Sequence, residues 1–358
     1  MNKEMSRFFD SKFSKLEKYV PGEQPRDKKY IKLNTNESPY PPSNEVIESI
    51  KGKEIEDLRL YSDPECKNLK EKLAKRYNVS VDNVYSSNGS DDILNFAFMA
   101  YCSDGKKVAF PDITYGFYSV YADLYHSQAN IFPLNDDFSI NIDDYLGFDG
   151  MVVIANPNAP TGLTLSIQDV EKIVASNPNN VVVIDEAYVD FGAESCLPLL
   201  NNYDNLLIVR TFSKSRSLAG ARLGFAISSK EIISDLETLR YSTNPYNINR
   251  LTLIAGEAAI DSDDYFMNNC SLIAATRENV TKQLTELGFN VIPSKANFVF
   301  ASHHRISGYD LYVKLKEKGI LVRHFSKERI ANYNRITIGS QNEMESFINT
   351  VKEILSEV

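Results

Sequence analysis

Short apolar runs punctuate the middle of the chain, and each stops abruptly at small or polar residues. Val84-Tyr85, Val108-Ala109-Phe110, Met151-Val152-Val153-Ile154-Ala155, Val181-Val182-Val183-Ile184 and Leu206-Leu207-Ile208-Val209 are too short for buried helices and rich in β-branched residues. They read as buried strands. Between them the apolar residues return every three or four positions, as Ile93, Leu94, Ala97 and Phe98 do, and later Val170, Ile173 and Val174 behind a capping-box-like Ser166 and Asp169. Strand then helix, repeated over residues 84–209, predicts an α/β fold with a largely parallel central sheet.

The flanks differ. Residues 1–42 read as an arm, with Phe13, Leu16 and Tyr19 on one face of a short helix that Val20-Pro21-Gly22 breaks. The stretch 33–42 is too rich in Pro and Asn for a regular element and is expected as a loop. Ser43 caps a helix carrying Val46, Ile47 and Ile50. Pro64 suits the first turn of a helix with Leu69, Leu73 and Tyr77. Ser229 starts another helix, and a long one spans about 249–287 between two domains. Beyond Gly288 the pattern is that of a second, smaller α/β unit, with strands at 296–300, 320–322 and 335–338 and helices at 307–318 and 343–355. The expected organisation is an arm (1–42), a large domain (43–248), and an interdomain helix with a small C-terminal domain (249–358).

At 358 residues the chain is long enough for a core divided between two domains. Its 43% hydrophobic and 24% charged residues are those of a soluble globular protein. A net charge of −9 argues against a nucleic-acid surface and leaves room for local basic pockets. Cys66, Cys102, Cys196 and Cys270 are scattered and form no C-x-x-C pair, which points to buried free thiols in a reducing, cytoplasmic compartment. The histidines have no metal-ligand spacing, so no metal is expected, and His303-His304 read as a solvated turn. No apolar run approaches membrane-spanning length, and the N-terminus lacks an apolar signal core.

Candidate chemistry sits where the apolar runs end. Lys214 lies just past Leu206-Leu207-Ile208-Val209, where open α/β sheets place ligands. An amine there is a nucleophile toward aldehydes and forms Schiff bases. Ser213 beside it and Arg222 eight positions later supply a hydroxyl and a fixed positive charge, which suit a phosphate carried by that aldehyde. The candidate cofactor is pyridoxal 5'-phosphate (PLP); the alternative is an ordinary solvated turn. Asp185 is held at a strand end, where it accepts a hydrogen bond from a protonated ring nitrogen or else caps a turn, and Tyr188 reaches the same ligand. Gly89, Ser90 and Asp91 form either a phosphate seat at a helix N-terminus or a plain turn and cap. Tyr115, near a strand end, either stacks on a planar cofactor or packs. Tyr61 alone reads as a packing residue. Arg323 and Arg335 either grip an anion or are solvated strand ends. No G-x-G-x-x-G follows a strand, which disfavours a dinucleotide fold.

Several motifs recur in a specific order. They are L-N-T-N-E-S-P-Y at 33–40, Y-S-D-P at 61–64, N-G-S-D at 88–91, P-x-x-P-T-G at 157–162, D-E-A-Y at 185–188 and T-F-S-K at 211–214. Arg222, Y-N-I-N at 246–249, S-K-A-N-F-V at 294–299, G-I-L-V-R at 319–323 and R-I-T-I-G at 335–339 complete the set. From about Tyr19 onward the chain thereby resembles the fold-type-I PLP-dependent enzymes of the aspartate aminotransferase superfamily, and within it the branch that acts on histidinol phosphate. The resemblance implies a large domain with a mostly parallel sheet and a smaller C-terminal α/β domain. It gives Lys214 the Schiff base and the proton at the substrate's Cα, and Asp185 the task of keeping the pyridine nitrogen protonated. Tyr188 would hydrogen-bond the ring's phenolic oxygen and Tyr115 would stack on the ring. Gly89, Ser90, Asp91, Ser213 and Arg222 would surround the cofactor phosphate. Tyr61 would reach it from a second subunit, which implies a homodimer with shared active sites. Arg335 and Arg323 would bind the substrate's anionic group, with Asn36 and Tyr19 nearby. The implied reaction passes an amino group from L-histidinol phosphate to 2-oxoglutarate in histidine biosynthesis.

One position departs from the family. An asparagine commonly precedes Pro-Thr-Gly and hydrogen-bonds the phenolic oxygen; here that position is Ala159, preceded by Asn158. The expectation is that Asn158 takes over, the alternative that Tyr188 serves alone. Arg216 and Ser217 also replace a frequent aromatic-Gly pair. Rival readings on the same fold are a threonine-phosphate decarboxylase, distinguished by CO2 release, and a broad aromatic aminotransferase. A PLP-binding regulator without turnover is a third, against which the net charge speaks.

Overall fold

The apolar runs become the middle of a seven-stranded sheet in the computed structural model, which describes residues 6–14, 16–17 and 19–357. The strands, in chain order, are β1 (Ile31–Leu33), β2 (Val84–Ser87), β3 (Lys107–Pro111), β4 (Gln128–Phe132), β5 (Met151–Ala155), β6 (Val182–Asp185), β7 (Leu206–Thr211), β8 (Gly224–Ile227), β9 (Phe289–Ile292), β10 (Phe298–His303), β11 (Ile320–His324) and β12 (Tyr333–Thr337). The first sheet has the order β2-β8-β7-β6-β5-β3-β4. Only β8 runs against its neighbours; the pairs from β7 to β4 are parallel. Every residue of β5, β6 and β7 is buried, because helices cover both faces of a parallel sheet. That is why these strands are continuous apolar runs.

The second sheet has the order β1-β11-β12-β10-β9 and its own apolar core, which includes Val299, Ile320, Val322, Ile336 and Phe347. The Asp263–Glu286 helix joins the two units: Phe266 near its start packs in a core of the first, while Ile273, Val280 and Leu284 pack in that of the second. Serine caps start the expected helices, with Ser43, Ser166, Ser229 and Ser307 each accepting a backbone N–H and Ser340 completing a capping box with Glu343. Such a cap contributes about 1 kcal/mol.

Several expectations need correction. The face of Phe13, Leu16 and Tyr19 is not a helix; only a single 3-10 turn forms, Ser11–Phe13, and the first five residues of the arm lie outside the described residues. Leu33 ends a strand instead of opening a loop, because β1 pairs in parallel with β11. Pro64 lies ahead of its helix, which begins at Lys67 after a left-handed Cys66. The long helix is two, Arg250–Asp261 and Asp263–Glu286, broken at Ser262. His303 is buried in β10, with its Nε2 bonded to the Leu287 carbonyl at 3.1 Å. All four cysteines are free and buried. Among the described residues no helix is long and apolar enough to cross a membrane.

Candidate active site

The sheet order lays the candidate residues side by side along the carboxyl ends of the strands. β2, β8 and β7 are neighbours, so the segments beside them converge. Gly89 turns the chain from β2 into the Ser90–Tyr101 helix with φ +85°, a conformation glycine takes without strain. A Cβ on Gly224, the first residue of β8, would stand 2.5 Å from the Gly89 carbonyl carbon and the Ser90 nitrogen. The missing side chain lets β8 press against that turn. Arg222, in a left-handed conformation just before β8, donates to Asp91 Oδ2 at 2.9 Å and to Ser213 Oγ at 3.5 Å. A helix N-terminus, a guanidinium and a hydroxyl thus share one end of a cleft, which is the composition of a phosphate seat.

Next along the sheet come Lys214, beyond the end of β7, and Asp185, at the end of β6. They line the same cleft with Tyr115, Ala159 and Tyr188. Lys214 Nζ donates to the Thr35 carbonyl at 3.2 Å and has no carboxylate partner among the described residues. Asp185 is 5% exposed. Its carboxylate accepts the Tyr118 hydroxyl at 3.0 Å and the Ala187 N–H at 3.1 Å, and no cation pairs with it among the described residues. Burial raises its pKa to about 6 against the lowering effect of those two bonds. A buried carboxylate without a cation is the state in which a protonated ring nitrogen is most strongly attracted. Tyr115 donates to Asp91 Oδ1 at 2.7 Å and sets its ring edge-on to Tyr118 at 5.7 Å. Burial first and Asp91 second keep its hydroxyl protonated.

The opposite wall comes from the second sheet and the arm. Arg323 and Arg335 are directly paired positions of β11 and β12. Arg335 donates to the Asn34 carbonyl at 3.0 Å and lies over the Phe298 ring at 5.4 Å, while its buried Nε has no partner. Burial pushes its pKa down, and Arg323 adds to that. Arg323 donates to the carbonyls of Pro21 and Val20 at 3.2 and 3.1 Å. No carboxylate pairs with either guanidinium among the described residues, so this wall is suited to an anion. Tyr19 sits beside them, its ring 4.2 Å from Phe117. Asn36 is buried, and its carboxamide donates to the Tyr188 hydroxyl at 2.9 Å.

Two sequence candidates stand apart from this cleft. Asn158 is 3% exposed; its amide donates to the Ile113 carbonyl and Thr161 Oγ1 at 3.0 and 3.1 Å and its oxygen accepts from Thr114 at 2.8 Å. These bonds turn it away, and the methyl of Ala159 faces the cleft instead. Tyr61 is 80% exposed and stacks on Tyr246 at 4.5 Å. Sequence reasoning missed Tyr118, Thr35 and Thr337. Tyr118 follows Tyr115 by three positions, and that spacing was the one available signal. Thr35 and Thr337 lie within the L-N-T-N-E-S-P-Y and R-I-T-I-G motifs, and Thr337 shares a strand face with Arg335, but neither was given a role.

Behind the cleft lies a second set of charges. Arg210 bonds Glu186 Oε2 through Nη2 and Nε at 2.7 and 3.0 Å, while Ser195 and the Cys196 N–H fill the remaining acceptors. Asp190 takes Arg210, Arg216 and Ser215, and Asp263 takes Arg216 and Arg76. Burial alone would raise Asp190, but Arg216 and Arg210 outweigh it and hold the carboxyl below its usual range.

The model of the family described as aminotransferase class I and II matches residues 28–351. A histidinol-phosphate aminotransferase of Brachyspira hyodysenteriae is 51% identical over 352 residues, covering 98% of this chain and 99% of that protein. One from a Marinomonas species is 51% identical over 353 residues, covering 98% and 100%. Among solved structures, the histidinol-phosphate aminotransferase of Sinorhizobium meliloti in complex with pyridoxal-5'-phosphate superposes with a TM-score of 0.85 at 24% identity, covering 92% of each chain.

Proposed function

The chain belongs to the class I and II aminotransferases, and from that premise we propose that it carries an amino group from L-histidinol phosphate to 2-oxoglutarate, with PLP as cofactor. The observation that carries the reading is a single cleft holding an amine, a buried carboxylate without a cation, and two guanidiniums without a carboxylate. The relatives at about half identity over their full length give the substrate its name.

The residues fit PLP. The seat at Gly89 and Ser90 with Ser213 and Arg222 would take its phosphate, Asp185 would face its ring nitrogen, and Tyr115 its ring. When bound, the cofactor supplies an electron sink for the bond broken at the substrate carbon. The chain supplies the rest. Lys214 Nζ would hold the cofactor by its aldehyde carbon and would carry the proton removed from the substrate's Cα. Asp185, ionised opposite a cation, holds the ring nitrogen's proton. Tyr188 would donate its hydroxyl hydrogen to the phenolic oxygen. Arg335 and Arg323 orient the donor by its phosphate and the acceptor by a carboxylate, since one guanidinium pair accommodates either. Tyr19 and Asn36 line the same wall and help to exclude water.

The two sheets would be the cores of two domains, 43–248 and 249–358, with an arm, 1–42, whose Tyr19, Pro21, Gly22, Asn34, Thr35 and Asn36 line the cleft. Tyr61 would serve the phosphate seat of a second copy. In support, it is exposed beside Ile55, Leu58 and Leu60, which are also about half exposed. Four free cysteines agree with a reducing, cytoplasmic compartment.

The test is the visible absorbance of the purified, PLP-loaded protein before and after a small excess of L-histidinol phosphate. The lysine-bound cofactor band should fall, the pyridoxamine band should grow, and 2-oxoglutarate should reverse both. A band that ignores histidinol phosphate would transfer the proposal to threonine phosphate or aromatic amino acids. No band after adding PLP would end it.

A further inference from the structure

With a methyl at Ala159 where the family carries a carboxamide, Tyr188 is the hydroxyl that would reach the phenolic oxygen, so the direction of its proton matters. In the structure that direction follows from the hydrogen bonds around the Asn36 carboxamide. Asn36 N–H donates to Thr337 Oγ1 at 3.0 Å. The hydroxyl of Thr337 donates to Asn36 Oδ1, also at 3.0 Å. With its oxygen engaged, the carboxamide presents Nδ2 to the Tyr188 oxygen at 2.9 Å. An amide nitrogen has only protons to offer, so the tyrosine oxygen accepts. Its own proton points elsewhere, and no protein atom receives it among the described residues. Tyr188 lines the cleft beside Lys214 and Asp185.

The rest of Asn36 is held as firmly. It is 1% exposed, its carbonyl accepts Asn297 Nδ2 at 3.0 Å, and its φ is +55°. Asparagine is one of the few residues that take this left-handed conformation. Thr337 ends β12 and Asn297 precedes β10, so the second sheet fixes a proton that acts in the first.

We propose that Asn36 is a positioning residue: it turns the Tyr188 hydroxyl proton into the cleft and so compensates for the carboxamide absent at Ala159. The inference rests on the PLP reading. A hydroxyl that accepts one bond donates a stronger one. A bond donated to the cofactor's phenolic oxygen favours its anionic form, and this lowers the pH at which the lysine-linked nitrogen gives up its proton. The pH midpoint of the visible band therefore reports the bond. Asp185, Asp91, Lys214, Arg222 and Arg335 also face this region, and every variant below keeps them.

The experiment titrates the visible band of PLP-loaded full-length protein for wild type, Asn36→Asp, Tyr188→Phe, their double variant and Thr337→Val. Asn36→Asp keeps size and backbone preference but replaces the donor by an acceptor that captures the tyrosine proton. Its midpoint should rise by about one unit, a tenfold change in proton affinity. Tyr188→Phe should rise at least as far, and the double variant should not exceed it. Thr337→Val, which adds no charge and frees the carboxamide to flip, should rise by less. An unmoved midpoint in Asn36→Asp overturns the proposal. So does a shift that persists undiminished in the Tyr188→Phe background, which would be the bare effect of the new charge. Should Asn36→Asp fail to fold, Thr337→Val combined with Tyr188→Phe makes the same cycle, and additive shifts there overturn the proposal. A wild type without a visible band removes the cofactor reading and this inference together; a titrating wild type with unmoved variants removes this inference alone.

Discussion

Asp185 and Glu186 are consecutive, both are buried, and they face opposite ways at the end of β6. Glu186 is closed off by Arg210, Ser195 and the Cys196 N–H. Asp185 has a tyrosine hydroxyl and one N–H, and no cation among the described residues. The turn after β7 repeats the contrast. Arg216 is bound on both sides by Asp190 and Asp263, whereas two residues earlier Lys214 has a lone carbonyl. One set has its charges paired with one another without a ligand and holds the loops in place. The other is left incomplete by the protein itself, and a ligand that completes it binds tightly. Burial alone does not tell structure from function here; the state of pairing does.

The largest effect should come from the incomplete set. Lys214→Ala should lower turnover on the order of 10^4-fold or more and abolish the lysine-linked band, because in the proposed reaction the anchor and the proton carrier are one atom. Steady-state activity near wild type would defeat the assignment. In the complete set, Arg210→Ala should leave Glu186 buried and unpaired and reduce the stability of the cofactor-free protein by about 3–5 kcal/mol in urea. A loss under about 1 kcal/mol would mean that the two sets do not differ as described.

Asp185→Asn should act in opposite directions on activity and stability. Turnover falls by at least about 100-fold once the ring nitrogen loses its counter-charge. Without cofactor, however, the native carboxyl titrates at about 6, above the ordinary value of about 4. As the pH rises through that interval the unfolded chain ionises first, and wild type loses stability relative to its acid form. The asparagine variant escapes the loss. Above pH 6 the cofactor-free variant should exceed wild type by on the order of 2–3 kcal/mol, and the difference should vanish below pH 4. A variant less stable than wild type at pH 7 would contradict the open state of Asp185. Smallest of all, Asn158→Ala should change turnover by less than about threefold while costing about 1–2 kcal/mol of stability, since it frees two buried acceptors and leaves the cleft wall intact. A large drop in turnover would place its carboxamide back in the cleft.

The sequence made the parallel sheet legible because β5, β6 and β7 are buried on both faces and therefore apolar throughout. Lys214, Asp185 and Tyr188 were legible for the same reason, standing where those runs stop. β4 carries exposed residues at Gln128, Ala129, Asn130 and Ile131, as an edge strand does, and its run does not stand out. β1 is three residues long and its partner lies at the far end of the chain. The choice between Asn158 and Ala159 depends on the backbone path through two prolines, which residue types do not fix. The ion network was invisible because each pairing joins segments well apart in sequence, such as Arg76 with Asp263.

The pairing of β1 with β11 also has a consequence during biosynthesis. Thr35 and Asn36 follow β1 directly, yet Asn36 meets its partner Thr337 301 residues further on. At about 5–20 residues per second, a ribosome needs roughly 15–60 s to deliver that partner. The seven-stranded sheet can form in the meantime, but the wall of the cleft that carries Asn36 must wait for β12. A nascent chain thus carries only one wall of the site until β12 has been made, and the wall that holds Asn36 is assembled last.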